Sequence, residues 1–265
     1  MTSTNFEKLY KNLSIVKLTI LSNIRKRKFL IFVVLFILTL TVFAAKNIGN
    51  NGENIRTFTI SICGTFIGAL SAFVLTIVRE ETTKKNNEIS SLHYALFILG
   101  RQFNTLIILN KTCKQHKDKR ELKRALELPA NRLQDTSDLK FSYEDLSFLS
   151  GVDTVKVLHQ LGIAQDCFYQ TVEAHRHRNE YYVETIQPII KEKEIHKQKL
   201  SEEQVKDMLG EVESEIIISN TNDIYIFIEN TMRVLSETQM ELIEAGKKIY
   251  PGIKLPKFSP AKEYL

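Results

Sequence analysis

Residues 57–78, TFTISICGTFIGALSAFVLTIV, form a run of 22 without a single charged side chain. A helix rises about 1.5 Å per residue, so this run is about 33 Å long and matches the hydrocarbon core of a bilayer. A second apolar run, residues 29–45 (FLIFVVLFILTLTVFAA), lies upstream, and only the eleven residues 46–56 separate the two. The pair predicts a tight transmembrane helical hairpin. Whatever follows Arg79 is then a separate domain hung from it. With 265 residues in all, about 185 remain for that domain, an ordinary single-domain size.

Charge sets the expected topology. The first 28 residues hold Lys8, Lys11, Lys17, Arg25, Lys26, Arg27 and Lys28 against one acid, Glu7. From Arg79 onward there are 27 basic and 29 acidic residues, so the basic excess belongs to the membrane edge and implies no general polyanion-binding surface. Arg25, Lys26, Arg27 and Lys28 precede the first run as a membrane-interface anchor, and Arg79, Lys84 and Lys85 follow the second. The positive-inside rule places both termini in the cytosol and the loop 46–56 outside, giving a multi-pass protein of the cell (inner) membrane. The basic cluster lies far into the chain, no small-x-small site follows the first run, and a second span comes soon after. These features argue against a cleaved signal peptide. Cys63, Cys113 and Cys167 are widely spaced without a CxxC pattern, which fits a reduced compartment and offers no metal signature.

The expected organisation is therefore all-α: residues 1–28 a cytosolic amphipathic basic segment, 29–78 the hairpin, and 79–265 a cytosolic antiparallel helical bundle with an extended tail from about 251. Phe6, Leu9, Leu13, Val16, Ile20 and Ile24 lie on one helical face. That face suits either the lipid interface or packing on the soluble domain. Within the second span, Gly64, Gly68 and Ala72 recur every four residues, a small-residue stripe that lets another helix approach closely. It serves either to seat the first span or to build a homo-oligomer. Neither span contains an Asp, Glu, Lys, Arg or His, which argues against a transporter, proton relay or voltage sensor.

Past the second span, Ile89, Leu92, Leu96, Leu99, Phe103, Leu106 and Leu109 predict one long helix over 79–111, continuous with the span as a stalk. HKDKRELKR (116–124) reads as a solvated basic face without aromatic stacking residues, so direct nucleic-acid binding is not favoured. Ser142 and Asp145 predict a short helix to Ser150, with Asp153 capping the next. That next helix carries Val155, Leu158, Leu161, Ala164, Phe168, Val172 and Tyr182 and is expected to end near Pro188. Ser201 and Gln204 form a capping-box pattern opening a final helical region to about 246–251, with a kink or break at 219–222.

No phosphate-loop, dinucleotide, zinc-protease, CxxC or nucleophile-elbow motif is present. His175 and His177 are two apart on a helix, face different ways and read as surface residues. Asp145 and Asp153 are explained as caps; Tyr181 and Tyr182 beside Arg178 suit a pocket or core packing. The expectation is a non-enzyme without catalytic residues, metal or cofactor.

In layout, with an amphipathic start, spans at 29–45 and 57–78 and a stalk from Arg79, the chain resembles the two-transmembrane effectors of bacterial anti-phage defence systems, including those accompanying some retron reverse transcriptases. The resemblance implies a toxic effector held quiet by its cytosolic domain or by a protein or ribonucleoprotein partner. On release it would assemble in the lipid and disrupt the inner membrane. A membrane-anchored adaptor that docks a cytosolic partner fits the same layout, as does an accessory subunit of a channel.

Overall fold

The computed structural model describes residues 53–151 and 153–257. The expected first span at 29–45, the segment before it and the anchor Arg25, Lys26, Arg27 and Lys28 lie outside the described residues. All regular elements among the described residues are helical: α1 (Glu53–Lys114), α2 (Glu121–Glu127), a 3-10 turn (Ser147–Ser150), α3 (Val155–Tyr181), a π-helical segment (Tyr182–Ile186), α4 (Gln187–Glu192), a second 3-10 turn (Ile195–Lys197), α5 (Glu202–Leu209) and α6 (Glu211–Ile249). The chain divides into two compact units, Met1–Thr83 and Lys84–Leu265, with the boundary inside α1.

In the first unit, α1 is long and apolar enough to cross a membrane. Its large side chains stand outward: Phe73 and Leu75 are 65% and 70% exposed, a heavy cost in water and none in lipid. The Thr65 and Thr76 hydroxyls donate to the carbonyls of Ser61 and Ala72, each at 2.9 Å, so these polar groups are satisfied within the helix. Residues 53–56, expected in the loop, are already helical. Beyond Gly52 nothing in the sequence breaks a helix, and an acidic Glu53 is favourable at its N-terminal end.

The second unit is built on the line that the α1 sequence announces. Leu92, Leu96, Leu99, Phe103, Leu106 and Leu109 are all buried, and Ile89 is half-buried. Each fully buried leucine contributes about 2 kcal/mol of transfer free energy. Across from them lie Ile224, Ile228, Met232, Leu235 and Leu242 of α6 and Leu161, Ala164 and Phe168 of α3. Tyr225 OH donates to the Cys113 carbonyl (2.8 Å), and Tyr250, just past α6, donates to Glu88. Partner numbers thus fall on one side as they rise on the other, so α6 runs opposite to this stretch of α1. Asp153–Lys248 (3.2 Å), Lys156–Glu241 (3.5 Å) and the Thr171–Thr231 hydroxyl pair (2.8 Å) put α6 opposite to α3 as well. A smaller core gathers Leu122, Ala125, Ile186, Ile195, Leu209 and Ile217.

Several expected boundaries move. Residues 142–150 form turns and a 3-10 segment rather than an α-helix; Ser142 Oγ accepts only the Asp145 N–H, at 3.4 Å. Asp153 does not cap α3: the N-cap is Thr154, and Asp153 pairs with Lys248 instead. The helical path does not stop at Pro188 but continues to Glu192 through the π-helical segment. Proline cannot donate, and the Gln187 N–H bonding back to Tyr182 O shows the wider turn that precedes it. The break in the last region falls at Gly210 (φ +106°), not at 219–222. There Thr221 donates to Ile217 O (2.7 Å) and Asn222 accepts from Arg124 (2.6 Å), so polar residues that looked like a break are tied into the fold.

The capping box forms as expected. Ser201 N donates to Gln204 Oε1 (2.8 Å) and Gln204 N to Ser201 Oγ (3.3 Å). Ser201→Ala should lower stability by about 1 kcal/mol in chemical denaturation followed by circular dichroism.

Candidate functional site

Of the residues singled out in the sequence, Gly64, Gly68 and Ala72 lie on α1 and are exposed. Among the described residues, a Cβ placed on either glycine meets nothing within 4 Å. The half-covered positions in this segment are Cys63, Ile67, Leu70 and Val74, a different line of the helix. Among the described residues nothing covers the stripe, a face on which another backbone can close.

The second unit holds a cleft of about 610 Å³, within the range of ligand sites. One wall is residues 130–136, which have no regular structure; the other is Val172, His175, Asn179 and Glu180 of α3, with Val183 and Glu184 of the π-helical segment. A sequence-level reading misses the residues that build it. The buried line of α3 is Val157, Leu161, Ala164, Phe168, Thr171, His175 and Arg178. The expected line included Val155, which is 48% exposed. The signal was present: Thr171, His175 and Arg178 continue the spacing of Leu161, Ala164 and Phe168, so polar residues occupy an apolar stripe.

Arg178 organises both walls. It is fully buried, and among the described residues no carboxylate forms an ion pair with it. Its guanidinium donates to the carbonyls of Ala125 (2.5 Å) and Leu128 (2.8 Å) and to Asn179 Oδ1 (2.9 Å), and it lies 4.9 Å from the centre of the Tyr182 ring. The two carbonyls sit at the C-terminal end of α2, where the helix dipole favours a cation. Burial pulls the Arg178 pKa down to about 10, and Tyr182, Cys113 and Tyr225 oppose that fall, so it stays charged at neutral pH. Because Arg178 fixes the Asn179 carbonyl, the Asn179 amide is left to donate to Asn131 O (2.9 Å) and to approach the His175 ring at 3.3 and 3.4 Å. Tyr169 OH to Thr136 O (3.2 Å), Gln102 to Leu139 O (2.9 Å) and Gln165 to the Phe141 N–H (2.8 Å) complete the stitching of the irregular strip.

His175 is not a surface residue as expected: it is 4% exposed, whereas His177 is exposed. Burial, with the nearby Arg178 charge, lowers its pKa to about 4. An unfolded chain takes up this proton near pH 6.5 and the folded one only near 4. The unfolded state therefore binds more protons between those values, and stability falls as pH drops through the window. The loss approaches about 3 kcal/mol at the acid end. Denaturation midpoints at pH 7 and pH 4.5 should show this slope, and His175→Asn should flatten it.

The basic stretch 116–124 is partly neutralised: Lys119 and Lys123 pair with Glu127, Arg120 with Glu202, and Arg124 stacks 5.1 Å from the Tyr225 ring. Among the described residues no group of three or more His, Cys, Asp or Glu side chains is arranged to hold a metal ion. The cleft lining offers amides, a neutral imidazole and the charged side chains of Arg132, Asp135, Arg176, Glu180 and Glu184, with Leu133, Val172 and Val183 between them. No protein-family model matches the chain, and comparison with curated proteins and with solved structures finds no match to it.

Proposed function

We propose that the chain is a membrane-acting effector, of the anti-phage defence kind its layout resembles. Its helical hairpin assembles in the inner membrane and disrupts integrity or potential when the helical domain is activated. In this reading both termini and the antiparallel bundle are cytosolic, and Arg25, Lys26, Arg27 and Lys28 anchor the first span. Gly64, Gly68 and Ala72 mediate homo-oligomerisation in contact with membrane lipid. The observation that carries it is the small-residue face, uncovered by any described residue, on the uncharged and outward-facing apolar run 57–78. A cytosolic protein or ribonucleoprotein partner would hold or release the domain; no cofactor is invoked.

Expression from a tight inducible promoter, followed with a membrane-potential dye and viable counts, tests it. Depolarisation with loss of viability is expected, either on induction or on phage challenge. Normal potential and growth under both conditions, at good membrane expression, would count decisively against it.

One observation favours a second reading, a membrane-anchored adaptor. On α1, Tyr94 (52%), Phe97 (49%) and Ile108 (68%) are exposed along one side, with the Tyr94 and Phe97 rings stacked at 6.4 Å. Such a row suits a docked partner helix. An adaptor would be tolerated at expression levels where an effector kills.

A further inference from the structure

α6 ends at Ile249, and Tyr250, Pro251, Gly252 and Ile253 then reverse the chain. Ile253 N donates to Tyr250 O (3.2 Å) and Gly252 has φ +89°. Proline at the first corner and a positive-φ glycine at the second is the chemistry of a type II turn. The returning residues lie across α1. The Tyr250 hydroxyl donates to Glu88, the Lys85 ammonium sits 5.9 Å from the Tyr250 ring centre, and His93 Nε2 meets Lys254 O at 3.3 Å.

At Gly246 the tail, α6 and α1 meet. A Cβ there would lie 2.7 Å from Leu255 Cδ1 and 3.2 Å from Leu92 Cδ1. Glycine inside a helix is unfavourable, and here its missing side chain is what admits Leu255. The tail is nonetheless lightly held. Ile253 and Leu255 are only half-buried, Pro251, Lys254, Pro256 and Lys257 are exposed, and beneath them Leu92 is completely buried.

We propose that residues 250–257 form a releasable strap over α1 at residues 85–93, a restraint on the helical domain that must come off before the chain acts on the membrane. The proposal rests on the effector reading above. Ile253 and Leu255 half-buried, the Tyr250 ring against Lys85 and Phe148, its hydroxyl on Glu88 and one long hydrogen bond make a segment that opens locally while the core stays closed. The helix it grips is the same continuous α1, Glu53–Lys114, that contains the uncharged apolar run.

Leu255→Asp removes Leu255 from its seat by charge; Leu255→Met retains the contact, and Gly246→Ala asks only the flexible Cδ1 end of Leu255 and Leu92 Cδ1 to give. Hydrogen exchange of the full chain in membranes should rise about tenfold at 85–93 in Leu255→Asp and stay at the wild-type rate at 157–168 and 228–242. Leu255→Asp should also depolarise cells at lower induction than wild type, and Leu255→Met should match wild type. Unchanged exchange at 85–93, or a rise through the core as well, would overturn the strap. Local release with depolarisation at wild-type induction would overturn its governing role and leave the effector reading standing. Local release with no depolarisation by wild type or variant would overturn the effector reading, and the strap's role with it.

Discussion

Replacing Arg178 with alanine should cost about 3–5 kcal/mol of stability, the largest loss expected from a single substitution in the helical domain. Removing the guanidinium strips donors from the Ala125, Leu128 and Asn179 oxygens at once, and it empties a fully buried site. Relief of the desolvation of a charge without a carboxylate partner offsets part of that, which keeps the figure from being larger. Arg178→Lys should recover less than half of the loss. An ammonium lacks the planar fork that reaches several oxygens together and the flat face that stacks on Tyr182. Because the chain has no tryptophan, thermal and chemical unfolding are best followed by far-ultraviolet circular dichroism. A cost below about 1 kcal/mol would mean that the strip 125–136 is held by other contacts. The same substitution should accelerate hydrogen exchange at 125–136 before it does so in the α3–α6 core, since Asn179 then loses the partner that aims its amide at Asn131.

Gly64→Ile with Gly68→Ile should abolish depolarisation and killing while leaving membrane insertion intact. Both residues add apolar surface, so partition into lipid is retained or improved. What changes is the distance of approach. Branched side chains fill a face on which no described residue lies within 4 Å, and a facing backbone can no longer close on it. The comparison is made at matched membrane levels, with cross-linking to report assembly. Unchanged killing by the double variant would remove Gly64, Gly68 and Ala72 from the mechanism and direct attention to the row Tyr94, Phe97 and Ile108. The Ala72→Ile change alone should weaken assembly only partly, because alanine already carries a methyl group.

Helical periodicity was legible wherever one apolar line continued without interruption. Leu92 through Leu109 on α1, and Ile224, Ile228, Thr231, Leu235 and Leu242 on α6, follow from spacings of three and four and are buried, whereas Val212 and Ile216, expected on the same line nearer the start of α6, are 63% and 37% exposed. The capping box at Ser201 was legible for a local reason, since both of its hydrogen bonds join residues three apart. Breaks were read less well. Ser219, Asn220, Thr221 and Asn222 look like a turn in sequence, but Thr221 bonds back to Ile217 O within the helix and Asn222 takes a tertiary partner in Arg124, and α6 runs through them unbroken. Pro188 looks like an end, and a π turn carries the helix past it. On α3 the expected line Val155, Leu158, Leu161, Ala164, Phe168, Val172 and Tyr182 holds at Leu161, Ala164 and Phe168, whereas Val157, Thr171, His175 and Arg178 are interior and Val155 is 48% exposed.

The sequence by itself determined the helical class, the apolar run at 57–78 with its small-residue stripe, and the main lines of the core, because each depends on side-chain type at fixed local spacing. Only the tertiary structure decided that Arg178 and His175 are interior, that residues 125–141 are stitched along α3, and that the tail folds back over α1. Those outcomes depend on which distant backbone carbonyls and gaps happen to lie opposite a given side chain. A buried arginine is favourable only where carbonyls such as those of Ala125 and Leu128 wait for it, and a helical glycine is useful only where a leucine far along the chain must pass.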